Sequence, residues 1–247
     1  MIRSIHIISS LPSYSGMNYA LQEQERVYME DSEVLEEDEV KGEVLEEKEE
    51  STFVNHSGGA KGSDTVWGEV GSEFGVTSRH YYAEGQRTPS GNTPLTKEQL
   101  AEADKHLIKA NSKLNRRFPT SNDYANNLLR RNWFQVKNAD TVYAIGHISD
   151  NGTVDGGTGW AVQMAIDNNK DVYVFDQQRL TWYRNRNKQW SEVTTPRLTP
   201  NFAGIGTREI TREGIQAIRN VYSLTFNGEI ENYVGSLFGT ELLSLYE

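Results

Sequence analysis

Three times along this chain a short β-type run ends in a cluster of glycines that leads into a helix-type run. The first is Thr52–Asn55, followed by His56-Ser57-Gly58-Gly59-Ala60-Lys61-Gly62-Ser63-Asp64. The second is Thr141-Val142-Tyr143-Ala144-Ile145-Gly146, with Asp155-Gly156-Gly157-Thr158-Gly159 downstream. The third is Phe202-Ala203-Gly204-Ile205-Gly206-Thr207-Arg208. Strands alternating with helices predict an α/β fold, a Rossmann-like, doubly wound and mostly parallel sheet. Ligands of such sheets bind beyond the carboxyl ends of the strands, where all three turns would gather. Their coincidence constrains the chain more than any one of them.

In the first turn, Gly58, Gly59 and Gly62 let the backbone bend sharply and approach a ligand. Its amides, with the free N–H groups of the next helix, suit a phosphate or carboxylate. Asp64 stands where a helix N-cap is wanted, and Ser63 is the alternative. The pattern is neither a P-loop nor G-x-G-x-x-G. A tight, well-capped turn without a ligand is the competing reading.

The rest of the alternation follows from spacing. A helix is expected to about Phe74, a strand over Thr77–Tyr82, and a Pro- and Gly-punctuated loop over Ala83–Pro94. Thr96 with Gln99 predicts a capping box opening one helix with Leu100, Ala103, Leu107, Ala110 and Leu114 on a single face. Further helices are expected over Tyr124–Lys137, Trp160–Asp167 and Thr211–Phe226, a strand over Asp171–Asp176, and a polar hairpin over Thr181–Val193 turning near Asn185–Lys188. Leu237–Tyr246 reads as a short docked helix.

Composition separates this domain, residues 51–247, from what precedes it. Residues 22–50 hold 14 acidic against 3 basic side chains, which leaves 21 acidic and 22 basic elsewhere. Residues 1–50 therefore read as an acidic, low-complexity and mobile tail, with Met17 as a plausible second start. The near-neutral remainder counts against a nucleic-acid partner, because phosphate-backbone binding needs a basic face. The chain has no cysteine, which excludes disulfides, thiolate metal sites and cysteine nucleophiles. No apolar run is long enough to cross a bilayer, and Met1–Leu11 makes a poor signal peptide. His56, His80 and His147 lack metal-ligand spacing and read as ordinary histidines. Nothing in the pattern asks for a metal or a cofactor.

The motifs Ser57–Asp64, Arg131-Asn132 with Ala139-Asp140 downstream, Gly156–Gly159, and Ala203–Arg208 resemble the SLOG superfamily over roughly Ser51–Phe226. That Rossmann-like group includes the LOG cytokinin-activating phosphoribohydrolases, the DNA-processing protein A group and nucleotide-signal sensors of bacterial defence. The chain looks most like phage members of the group. The resemblance implies a nucleotide-derived small-molecule ligand, homo-oligomerisation, and the cytoplasm of a bacterial host. It puts Arg131 on the LOG arginine, Asn132 in place of a lysine, Asp155 in place of a proline, Trp160 in place of a threonine, and Gln163 on the catalytic glutamate. Glutamine cannot act as a general base but can hydrogen-bond a ribose. The resemblance thus implies a kept phosphate cradle, a lost catalytic carboxylate, and binding without hydrolysis.

The expected ligand set is Ser57, Gly58, Gly59, Ala60, Lys61, Gly62, Ser63, Asp64, Trp67, Arg131, Asn132, Gly156, Gly157, Thr158, Gly159, Gln163, Gly204, Gly206, Thr207 and Arg208. Arg131 either clamps a phosphate bidentately or lies on the helix surface beside Arg130. Trp67 and Trp160 either stack on a base or pack in the core. Arg208 reaches a phosphate or pairs with Glu209 or Glu213. Arg179–Lys188, with Trp182 and Trp190, has the composition of a single-strand-binding surface, or of a solvated hairpin. The main alternative is a LOG-like nucleotide N-glycosidase using Asp64, Asp155 or Glu69.

Overall fold

The computed structural model describes residues 52–83 and 91–229. Eight strands form one sheet: β1 (Val54–Ser57), β2 (Thr77–Ala83), β3 (Thr93–Leu95), β4 (Thr141–Gly146), β5 (Asp171–Asp176), β6 (Thr181–Arg186), β7 (Gln189–Val193) and β8 (Asn201–Gly206). Their order is β3-β2-β1-β8-β4-β5-β6-β7. The first six in that order run parallel, and β6 and β7 extend the edge antiparallel. The expected α/β class, doubly wound and mostly parallel, is what the chain adopts.

Six helices cover the sheet: α1 (Ser63–Glu73), α2 (Lys97–Glu102), α3 (Asp104–Leu114), α4 (Asp123–Asn138), α5 (Thr158–Asp167) and α6 (Arg212–Phe226). The period-2 geometry of β4 shows why two layers of helix are required. Val142 and Ala144 belong to one apolar cluster with Leu107, Phe134 and Met164, from α3, α4 and α5. Tyr143 and Ile145 belong to the other, with Trp67, Val70, Ile218 and Tyr222 from α1 and α6. Successive side chains point to opposite faces, so a strand apolar at every position is stable only when both faces are covered.

Several boundaries differ from the sequence expectation. Ala103 N–H bonds to Leu100 O, and the resulting tight turn divides the predicted helix into α2 and α3. The Thr96–Gln99 capping box is present. Part of the expected loop is β3, whose Pro94 is tolerated because the strand lies at the sheet edge. The N-cap of α1 is Gly62, at φ 99°, with no side-chain cap. Neither Asp64 nor Ser63 caps the helix, because both are drawn into longer-range bonds described below. The acidic tail and Leu237–Tyr246 lie outside the described residues.

The position of β8 shapes the site. It sits between β1 and β4, pairing with β4 over five residues from Thr141↔Phe202 to Ile145↔Gly206. It pairs with β1 only at Val54↔Asn201 and Asn55↔Phe202. Beyond that point the Asn55 side chain takes over, accepting from Gly204 N–H at 2.9 Å. The carboxyl ends of β1 and β8 therefore diverge, and the turns that follow them enclose a cavity.

Candidate functional site

The cavity has a volume of about 780 Å³ and lies beyond the ends of β1, β8 and β4. That is ample for a ligand of nucleotide size. Ala60, Lys61 and Asp64 line one side; Gly206, Thr207 and Arg208 the next; Gly146, His147 and the Asp155–Thr158 turn the third. Helix α4 contributes Leu128, Leu129, Arg131, Asn132 and Gln135. A second depression of about 870 Å³ lies between the β6–β7 hairpin and α6, lined by Phe175, Leu180, Trp182 and Val193 among others. It is of similar size, but no buried cation faces it and it is away from the glycine turns. The chemistry points to the first cavity.

The first turn is built differently from an open phosphate cradle. Asp64 Oδ2 accepts from Gly58 N–H at 3.2 Å and from Ala60 N–H at 3.4 Å. Gly59 N–H bonds to Ser57 Oγ, and both Ser63 N–H and Ser63 Oγ donate to Thr207 O. These turn amides are thus satisfied from within the chain, and the Asp64 carboxylate stands where an external anion was expected. That corrects the expected cradle of free amides at Gly58, Gly59 and Ala60. Burial pushes the Asp64 carboxyl up to about 6, against the pull of Arg131 and the amides of Ala60, Gly58 and Gly206.

The positive charge comes from α4. Arg131 is only 7% exposed and Gln135 only 2%. Four residues apart, they lie on one face of the helix. Both lie against Gly58, where a Cβ would fall 2.4 Å from Gln135 Nε2 and 2.5 Å from Arg131 Nη2. Gly58 is required by this contact. Arg131 Nε and Gln135 Nε2 are buried without a hydrogen-bond partner. Burial holds the Arg131 guanidinium below its ordinary pKa, offset by the charge of Asp64. Its neighbour Arg130 turns the other way, onto Asp104 at 2.6 Å and 2.9 Å. The tandem arginines divide into a structural tie and a cavity cation.

Other expected residues separate in the same way. Lys61, Asn132, Gly156, Gly157, Thr158, Gly206, Thr207 and Arg208 all line the cavity. A Cβ on Gly156 or Gly157 would meet nothing within 4 Å, so these two glycines border open space. Arg116 of the preceding loop steadies this turn, donating to Gly156 O at 2.6 Å and Val154 O at 2.8 Å. Arg208 is exposed and pairs with neither Glu209 nor Glu213.

Trp67 is not a stacking residue. It is fully buried, its Nε1–H donates to Ile205 O at 3.2 Å, and Gly204 exists to admit its ring. Trp160 packs against Phe118 in the opposite core. Gly159 and Gly204 serve close packing away from the cavity wall, a Cβ on Gly159 being blocked by Val154 O. Gln163 also lies off the wall, donating to Asp167 Oδ1 at 2.9 Å. Ser57, Gly59, Gly62 and Ser63 shape the turn behind the wall. Of the alternative carboxylates, Asp155 lines the cavity and Glu69 does not.

The basic and aromatic hairpin is partly tied into the fold, with Arg186 and Lys188 left exposed. Arg179 pairs with Asp176, Arg184 with Asp171, Trp182 is buried, and Trp190 Nε1–H donates to Gly152 O at 2.9 Å. His56 is a buried histidine bonded to Tyr81 Oη at 2.9 Å, as an ordinary core histidine would be.

Sequence reasoning missed Gln135 and His147. The signal for Gln135 was its position one turn after Arg131, and for His147 its place directly after β4. Comparison of the chain with protein families, with curated proteins and with solved structures finds no match. Among the described residues no cluster of His, Asp and Glu could hold a metal ion, and no helix is long and apolar enough to cross a membrane.

Proposed function

We propose that the chain is a binding module for a nucleotide-derived small molecule, with Arg131 as the anchor for its phosphate. The observation that carries this reading is the Arg131 guanidinium, buried at the cavity wall with Nε unpartnered and Gln135 Nε2 unpartnered beside it. Burying this charge with Nε unpaired is costly, and a phosphate against the guanidinium would offset that cost with charge-assisted hydrogen bonds. Lys61 and Arg208 add charge at the rim, while Leu128, Leu129 and Ala161 offer an apolar wall for a base. One concrete version, resting on the resemblance to phage members of the SLOG group, is a sponge that sequesters a cyclic nucleotide or ADP-ribose-type immune signal. Self-association and a place in the host cytoplasm rest on that resemblance alone.

A second reading is favoured by one observation. Asp64 is a buried carboxyl in the cavity whose pKa of about 6 suits proton transfer near neutrality. This is the carboxylate an N-glycosidase would use in place of Gln163. Incubation with a panel of nucleotides and cyclic signals, heat release and mass spectrometry separates the two. Intact ligand, lost in Arg131→Ala, supports binding. Free base and ribose phosphate, abolished in Asp64→Asn, supports catalysis. No retained or altered compound with any nucleotide would remove both.

A further inference from the structure

Besides Arg131, the cavity wall carries a second polar group whose orientation is fixed from behind. His147 directly follows β4 and lines the cavity. Its Nδ1 lies 3.1 Å from Asp176 Oδ2 and 3.3 Å from Oδ1. Asp176 ends β5, is fully buried, and accepts from Ile148 N–H at 2.9 Å, Gln178 N–H at 2.9 Å, Arg179 N–H at 3.1 Å and Arg179 Nη1 at 2.6 Å. Burial alone would raise this carboxyl, but the amides of Ile148, Arg179 and Gln178 and the His147 ring hold it below the usual range. The amides and the Arg179 guanidinium around Asp176 are all donors, so it is an ionised acceptor, and it selects the tautomer with the proton on His147 Nδ1. Nε2 lies on the other side of a partly exposed ring, and in the neutral ring with Nδ1 protonated it is the acceptor.

We propose that His147, set by Asp176, is the hydroxyl anchor of the cavity: its Nε2 accepts from a sugar hydroxyl of the ligand whose phosphate sits at Arg131. Arg179 acts behind it, closing the Asp176 carboxylate and donating to Ile148 O at 2.9 Å. The inference rests on the proposed phosphate site and adds the class of the next moiety, a ribose or similar polyol. It also explains a buried aspartate whose hydrogen bonds otherwise serve only a loop.

The test uses ribose 5-phosphate and inorganic phosphate with the full chain, followed by nitrogen NMR of the histidine and arginine side chains. The free protein should show His147 protonated on Nδ1, a signature lost in Asp176→Asn. Both probes should perturb Arg131 Nε, and only ribose 5-phosphate should move His147 Nε2. Ribose 5-phosphate should bind at least about tenfold tighter than phosphate, the worth of one good hydrogen bond. That ratio should fall toward one in His147→Ala and be partly kept in His147→Gln, which retains an acceptor. An unchanged ratio in both variants, or an Nε2 that ignores the sugar or responds equally to phosphate, overturns the hydroxyl anchor. If neither probe perturbs Arg131, the phosphate site itself is wrong.

Discussion

A guanidinium taken out of water and left without a hydrogen bond at Nε weakens a fold, and a protein keeps such a group when a ligand uses it. Phosphate or a nucleotide bound at the proposed site should raise the Tm, and Arg131→Met should remove that rise. At pH 5, where Asp64 is protonated and needs no counter-charge, the ligand-free variant should melt no lower than the parent. A lower melting temperature there would show that Arg131 is structural. Asp64 gives a prediction with a sign. Its carboxyl titrates at about 6 in the fold instead of 3.8, so the folded state holds its proton more tightly than the unfolded chain. The stability this contributes is full below pH 3.8 and is lost as the pH rises through about 6, roughly 3 kcal/mol in all. Denaturant melts at pH 4.5 and 7 should show Asp64→Asn gaining on the parent by about 2 kcal/mol, the part of the effect that falls in this interval. A constant difference would mean that Asp64 ionises normally.

The turn after β1 and the turn before α5 are both glycine clusters, yet their glycines answer to different demands. Gly62 has φ 99°, and a Cβ there would lie 2.3 Å from Arg208 O, so Gly62→Ala strains the backbone and forces apart two turns that meet. A loss of about 2 kcal/mol or more is expected in chemical denaturation. Gly157 has helical φ and open space around it, so Gly157→Ala should leave stability within about 0.5 kcal/mol of the parent. Gly157→Asp should also fold, but should lose ligand affinity by setting a negative charge in the cavity. Both glycines stood out in the sequence, but their separate reasons did not. Arg131, as a cavity residue, was legible because it lies among short motifs in order. The fate of Trp67 was not, because it depends on Gly204 and Ile205, supplied by a strand 138 positions away. The pairing of His147, which read as an ordinary histidine, with Asp176 was hidden for a similar reason: one follows β4, the other ends β5, and only the register of those strands brings them together.

Across the whole molecule, one sheet serves two cores, and neither can form without it. Unfolding should accordingly be cooperative. Trp67 reports from one face, and Trp133 and Trp160 from the other. Variants keeping a single tryptophan at each place should give coincident transitions in urea once corrected for their own stability. Separate midpoints would mean that the two helical layers melt independently.

The central place of β8 has a consequence for synthesis. The β1–α1–β2 and β4–α5–β5 units are local and can form as they leave the ribosome, but they share no edge until β8 arrives between them. Closing the sheet waits for the last of the described strands, and such long-range pairing is slow. Until then β1 and β4 each expose an unpaired edge, which invites association with other nascent chains. The cavity, whose walls come from both units and from the turn after β8, exists only once that strand is home. A ligand of this cavity would therefore find its site only after β8 has docked between β1 and β4.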